Sequence, residues 1–139
     1  MSELQIANRI EDRMIEFAVR VMNLAEKLPD SSSGRHVAGQ ILRSGTSPAP
    51  NYAEARGAES PADFTHKLSV VLKELNETSV WLRIIARKGF FKQDRVTGLL
   101  DENRELCKIM VSSLQTMKRK APAKGSRVAS RRARESNDK

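Results

Sequence analysis

A few small groups of side chains have the types and spacing that chemistry requires. Asp63 and His66 stand three residues apart, the carboxylate-x-x-His spacing that holds di-iron centres in helical bundles. Such a centre needs two of these pairs and two further carboxylates. The other histidine, His36, has Ser33 in the matching place, so no metal site is expected, and the pair reads as a helix-cap carboxylate and a polar interface histidine. Glu74 and Glu77 share the same spacing, and paired carboxylates can carry acid–base chemistry. With Arg43, Lys67 and Lys73 available as partners, they read instead as a structural ion-pair network: Arg43 pairs with Glu74 or Glu77 and fixes helix register. Cys107 lies between Leu106 and Met110 on an apolar stripe. A cysteine nucleophile needs a base, and Arg104 and Lys108 are placed to point away, so Cys107 reads as a core residue. Tyr52 and Trp81 could each stack on a base, but read as packing between helices or protomers with their polar atoms bonded at the edge. Ser44, Thr46 and Ser47 surround Gly45, yet the run matches no phosphate-loop spacing and lacks its lysine. No catalytic constellation remains. The expectation is a protein that is not an enzyme and carries no cofactor.

Charge is the stronger chemical signal. The formal net charge of the chain is +8. From residue 118 onward there are nine basic residues (Lys118, Arg119, Lys120, Lys124, Arg127, Arg131, Arg132, Arg134 and Lys139) against Glu135 and Asp138, a net of +7. The body before it is therefore almost neutral. Pro122, Gly125 and several Ser and Ala accompany the cations, with Val128 the only large apolar residue. Such a segment cannot bury enough surface to offset its ordering entropy. Residues 120–139 read as a disordered basic tail, of the kind that clamps phosphate backbones with little discrimination.

The elements before the tail are helical in pattern. Ile10, Met14, Phe17, Val21, Leu24 and Leu28 follow alternating spacings of four and three, which predicts a helix over about residues 8–27. Ile15, Ala18, Met22 and Ala25 widen its apolar face, and Pro29 ends it. A second helix begins in Ser31–Ser33, where a hydroxyl caps the free amides, and passes through Val37, Ile41 and Leu42. Pro48 and Pro50 then remove two backbone donors. A kinked or interrupted helix that resumes at Asn51 and ends near Gly57 is the preferred reading, and a loop is the competing one. The third helix opens with Ser60 as cap, Pro61 in the first position and Asp63 three residues after the cap. Phe64, Leu68, Val71, Leu75, Thr78, Leu82 and Ile85 form its seam, and Gly89 ends it after Lys88. The fourth starts near Gln93 or Asp94, with Val96, Leu99, Leu100, Leu106, Cys107, Met110, Leu114 and Met117 inward. No strand is convincing. Short connections make neighbours antiparallel. The fold class is all-α: an up-down-up-down four-helix bundle over residues 1–119, followed by the tail.

Composition sets the outer limits. A length of 139 residues makes one domain. Aromatics at 4% are too few for base-stacking platforms. A single cysteine allows no internal disulfide and suits a reducing compartment. Glu3, Glu11 and Asp12 interrupt the N-terminal segment, and no apolar run approaches membrane length. The expectation is a cytoplasmic protein without membrane contact.

The middle of the chain resembles a known family. The residues that carry the likeness are Leu28-Pro29, Gln40-Ile41-Leu42-Arg43-Ser44-Gly45-Thr46-Ser47 and Asn51-Tyr52-Ala53-Glu54-Ala55, then Ser60, Asp63-Phe64, His66-Lys67-Leu68, Leu72-Lys73-Glu74, Glu77-Thr78 and Trp81-Leu82. Over about residues 10–117 this is similar to the ribosomal-RNA intervening-sequence proteins, a bacterial four-helix-bundle family related to the accessory proteins of diversity-generating retroelements. The resemblance implies a ring-shaped homo-oligomer, a pentamer, with no established enzymatic activity. It also implies, in the retroelement branch, contact with a reverse transcriptase and nucleic acid through basic surfaces. Two features depart from the family pattern. Pro48-Ala49-Pro50 adds a proline before Asn51, and the body of this chain is nearly neutral.

Together these readings give two functional expectations. The first is a non-enzymatic oligomer that contacts RNA or DNA through Lys118, Arg119, Lys120, Lys124, Arg127, Arg131, Arg132 and Arg134, where several tails on one ring would bind avidly. The second is a scaffold that docks a partner enzyme such as a reverse transcriptase, with the tail assisting.

Overall fold

The computed structural model describes residues 1–120. Five helices follow one another: α1 (Glu3–Glu26), α2 (Ser32–Thr46), α3 (Pro48–Arg56), α4 (Pro61–Lys88) and α5 (Gln93–Lys120). They make four arms, because α2 and α3 continue along one line. Cross-arm neighbours show the directions. Gly45 of α2 lies against Val21 of α1, and Arg56 of α3 reaches Asn8 and Glu11 at the other end of α1. Arg43 meets Glu74 and Glu77 while Glu54 meets Lys67. Arg13 of α1 meets Glu102 of α5, and Cys107 of α5 lies against Asn76 of α4. Along α1 and the second arm, and along the second arm and α4, residue numbers rise on one as they fall on the other. Arg20 lying against Gly98 shows the same for α1 and α5. The short connection 89–92 sends α5 back along α4, so the bundle is antiparallel, as the sequence pattern requires.

Local chemistry fixes the helix ends. α1 begins at Glu3, five residues before the start expected from its seam, because Ser2 and Gln5 form a capping box. Ser2 Oγ accepts from the Gln5 N–H at 3.2 Å, and Gln5 Oε1 accepts from the Ser2 N–H at 3.0 Å. Ser31 caps α2 by accepting from the Gly34 N–H at 3.1 Å. A side chain at position 34 would collide with the carbonyl of Pro29, so the tight turn between α1 and α2 requires glycine there. Ser60 caps α4 by accepting from the Asp63 N–H at 3.1 Å, with Pro61 in the first position. Gly89 closes α4 at φ 76°, a left-handed conformation that other residues adopt at a cost.

The two prolines interrupt the second arm without turning it. Ser47 keeps helical dihedrals (φ −72°, ψ −36°), and α3 resumes at Pro48, three residues before the expected Asn51. Both prolines lie within its first turn, where the missing N–H groups have no intrahelical partner to lose. Asn51 holds the junction: its Nδ2 donates to the carbonyl and hydroxyl of Ser47 at 2.9 and 2.8 Å.

Met14, Phe17, Val21 and Leu24 of α1 meet Ile41 of α2, Leu68, Val71, Leu75, Leu82 and Ile85 of α4, and Val96, Leu99, Leu106 and Met110 of α5 in one core. One expectation about α1 needs correction, and α5 holds a residue the apolar pattern does not name. Ile15 and Met22 do not widen the buried face; they are 48% and 44% exposed. With Val19 they form a second apolar stripe about 150° around α1 from the first, at 3.6 residues per turn. On α5, Asn103 occupies an inward position between Leu99 and Leu106 and is 1% exposed.

Candidate nucleic-acid interface

α5 carries the start of the basic run. Leu106 and Met110 anchor it in the core, and the inward pattern thins out over its last turns, where Leu114 and Met117 are only partly covered. Lys118, Arg119 and Lys120 then project from the final turn, all three exposed. Cations are favoured there by the partial negative charge of a helix C-terminus. None of the three has an ion-pair partner among the described residues. Lys118 and Arg119 flank one shallow surface depression with Gln115. Lys120 borders another beside Glu3, Tyr52 and Phe64. The remaining cations assigned to this interface, Lys124, Arg127, Arg131, Arg132 and Arg134, lie outside the described residues, as does all of the expected tail except Lys120, which is the last residue of α5.

Arg43, Glu74 and Glu77 are brought together in one cluster. Arg43 Nη1 donates to Glu74 Oε2 at 3.2 Å, and Nη2 donates to Glu77 Oε2. One guanidinium thus bridges two carboxylates one turn apart on the facing helix. Beneath it the buried Thr78 and Ser44 hydroxyls are hydrogen-bonded at 2.9 Å. The small residues around Gly45 therefore serve helix contact: a Cβ on Gly45 would lie 2.7 Å from a Val21 methyl.

Other groups singled out in the sequence have structural surroundings. Asp63 accepts from the Glu59 N–H at 3.4 Å across the start of α4. Among the described residues no three His, Cys, Asp or Glu side chains are grouped to hold a metal ion. Cys107 Sγ lies 3.6 Å from the Oδ1 atoms of both Asn76 and Asn103. Burial pushes its thiol above the ordinary range, the reverse of what a nucleophile needs. Tyr52 of α3 is buried, and its phenol is also pushed up, first by desolvation. Trp81 packs edge-on against His36 with ring centroids 5.9 Å apart. In place of the bonded edge position that the sequence suggests, its Nε1 is buried without a hydrogen-bond partner among the described residues.

Sequence reasoning missed two features. Asn103 sits in the core because the surrounding four–three rhythm carries it inward despite its polarity. Arg20, Lys27 and Arg95 form a basic cluster at the opposite end of α5 from Lys118. Their separation in sequence hid it, although the seven-residue spacing of Arg20 and Lys27 places both on one side of α1.

Among the described residues, no helix is long and apolar enough to cross a membrane. Comparison with known proteins bears on the family. No curated protein matches the chain. A crystal structure from Bacteroides thetaiotaomicron VPI-5482, of a protein with unknown function from the S23 ribosomal protein family, is 37% identical. The match covers 76% of this chain and 97% of that one, with a TM-score of 0.72. The family model described as 23S rRNA-intervening sequence protein matches residues 7–112. A match over residues 7–112, most of the bundle, shows that the chain belongs to the 23S rRNA-intervening sequence protein family.

Proposed function

We propose that this protein is a non-enzymatic, oligomeric helical bundle that contacts RNA or DNA phosphates non-specifically through its basic C-terminal arm. The observation that carries this reading is the set of three exposed cations on the last turn of α5, without ion-pair partners among the described residues, in a segment with net charge +7. Cations without carboxylate partners are free to displace the counterions condensed on a phosphate backbone. Reading bases would need donors and rings fixed in a groove; the rings of Tyr52 and Trp81 are instead packed among helices.

Oligomerisation rests on the second stripe of α1. Ile15, Val19 and Met22 recur at spacings of four and three and are all substantially exposed. Val80 and Ile84 repeat the feature on α4. Apolar side chains aligned on one helix face are the usual raw material of a subunit contact, and a pentameric ring is the assembly that the family resemblance implies. The same surfaces also support a second reading, a scaffold that docks a partner enzyme such as a reverse transcriptase.

Replacing Lys118, Arg119 and Lys120 together by Gln tests the first reading. Binding to a single-stranded oligonucleotide is expected to weaken at low salt, with a shallower dependence on salt concentration, and equally for different base sequences. Unchanged affinity would remove these three cations from the interface.

A further inference from the structure

Three half-buried arginines occur among the described residues: Arg13, Arg20 and Arg56. Arg13 holds Glu102, and Arg56 holds Glu11 and Asn8. Arg20 has no hydrogen-bond or carboxylate partner among the described residues. A guanidinium that gives up part of its hydration ordinarily acquires an anion in exchange.

Its surroundings form a groove of about 250 Å³ between the C-terminal half of α1 and the start of α5, lined by Arg20, Asn23, Leu24, Lys27, Arg95 and Leu99. Three of these six residues are cationic and none is acidic. Lys27 and Arg95 likewise lack ion-pair partners among the described residues. Leu24 and Leu99, nearly fully buried, provide an apolar floor, and charge–charge attraction above a low-dielectric floor is stronger than in open water. Asn23 adds an uncharged donor. Gly98 of α5 faces the guanidinium closely: a Cβ at position 98 would lie 3.1 Å from Arg20 Nη2.

We propose that this groove is an anion site for a phosphate group, with Arg20 as the central ligand, Lys27 and Arg95 as flanking cations and Asn23 as a neutral donor. A guanidinium fork matches two phosphate oxygens at once, and two further cations balance a doubly charged group. The site stands apart from the C-terminal arm. Arg95 and Lys118 are separated by about 35 Å along α5, at 1.5 Å rise per residue. The proposal therefore does not depend on the arm binding nucleic acid. The phosphate could belong to a small molecule or to a polynucleotide backbone, and the test separates them.

The experiment is a titration of the full chain with inorganic phosphate, followed by the side-chain NMR signals of arginine Nε–H and asparagine amide groups. The signals of Arg20, Asn23 and Arg95 are expected to move together along one binding curve. Arg20→Gln is expected to weaken binding about tenfold or more, and Arg20→Lys to restore part of it. A triple Gln replacement at Lys118, Arg119 and Lys120 is expected to leave the curve unchanged. A backbone spectrum identical to that of the parent shows that each variant is folded. Adding a ten-residue oligothymidylate then identifies the source. Displacement of phosphate supports a site for a backbone diester, and continued phosphate occupancy supports a site for a free phosphate. Shifts that are absent, or equal in Arg20→Gln and the parent, would overturn the proposal.

Discussion

At the scale of single residues, the polar groups that sequence reasoning singled out are mainly occupied in holding helices together. Arg43 bridges Glu74 and Glu77, and the two carboxylates differ in exposure: the Glu74 side chain is 14% exposed and that of Glu77 is 41%. Removing Arg43 strands a carboxylate that is largely withdrawn from water, whereas removing Glu77 leaves the better-covered pair intact. Arg43→Ala is therefore expected to lower unfolding free energy by about 1–2 kcal/mol and Glu77→Ala by less than about 1 kcal/mol, as urea denaturation would measure. Equal losses would mean that the two contacts carry the same weight. Cys107 gives a pH prediction. Burial raises its thiol pKa from an ordinary value of 9.0, so around and above that pH the folded chain retains a proton that the unfolded chain releases. Its contribution to stability is complete below pH 9 and declines as pH rises toward the folded-state value. Thermal melts between pH 8 and pH 10.5 are expected to show a steeper alkaline loss for the parent than for Cys107→Ala. Parallel losses would place the thiol in contact with water.

At the scale of elements, helix identity was legible because apolar spacing and terminal chemistry agree. Ser60, Pro61 and Gly89 gave both ends of α4, and its seam from Leu68 to Ile85 is buried as the spacing requires. What was harder to read depended on neighbours. The capping box of Ser2 and Gln5 lies ahead of the first apolar repeat, so periodicity alone started α1 too late. Ile15 and Met22 are apolar, but spacing cannot say whether a second stripe meets its own chain or another surface. The basic groove joins Arg20 to Arg95 only after α1 and α5 pair. Gly45 shows how closely one such pairing is set. A methyl there would lie 2.7 Å from Val21, closer than packed carbons tolerate, so Gly45→Ala is expected to cost about 1–3 kcal/mol. Adding Val21→Ala should recover part of that loss by emptying the space. A double variant no more stable than Gly45→Ala alone would show that the clash lies elsewhere.

At the scale of the whole molecule, the chain divides its labour between a nearly neutral body and a strongly basic end. The body supplies a rigid antiparallel mount with apolar stripes left on its outside; the end supplies charge. If the stripe of Ile15, Val19 and Met22 is a subunit contact, a carboxylate placed in its centre must be desolvated on assembly. Val19→Glu is then expected to reduce the mass measured by sedimentation to that of the monomer while the helical circular dichroism is retained. An unchanged assembly would exclude this stripe. Nucleic-acid contact through the arm makes binding depend on salt and on the last residues of the chain. Oligonucleotide affinity is measured for the full chain and for a chain ending at Met117, which keeps every buried core residue. The expected result is binding by the full chain that falls steeply with salt and is lost, or reduced to a small remainder, when the chain ends at Met117. Equal binding by the two chains, with equal salt dependence, would contradict it.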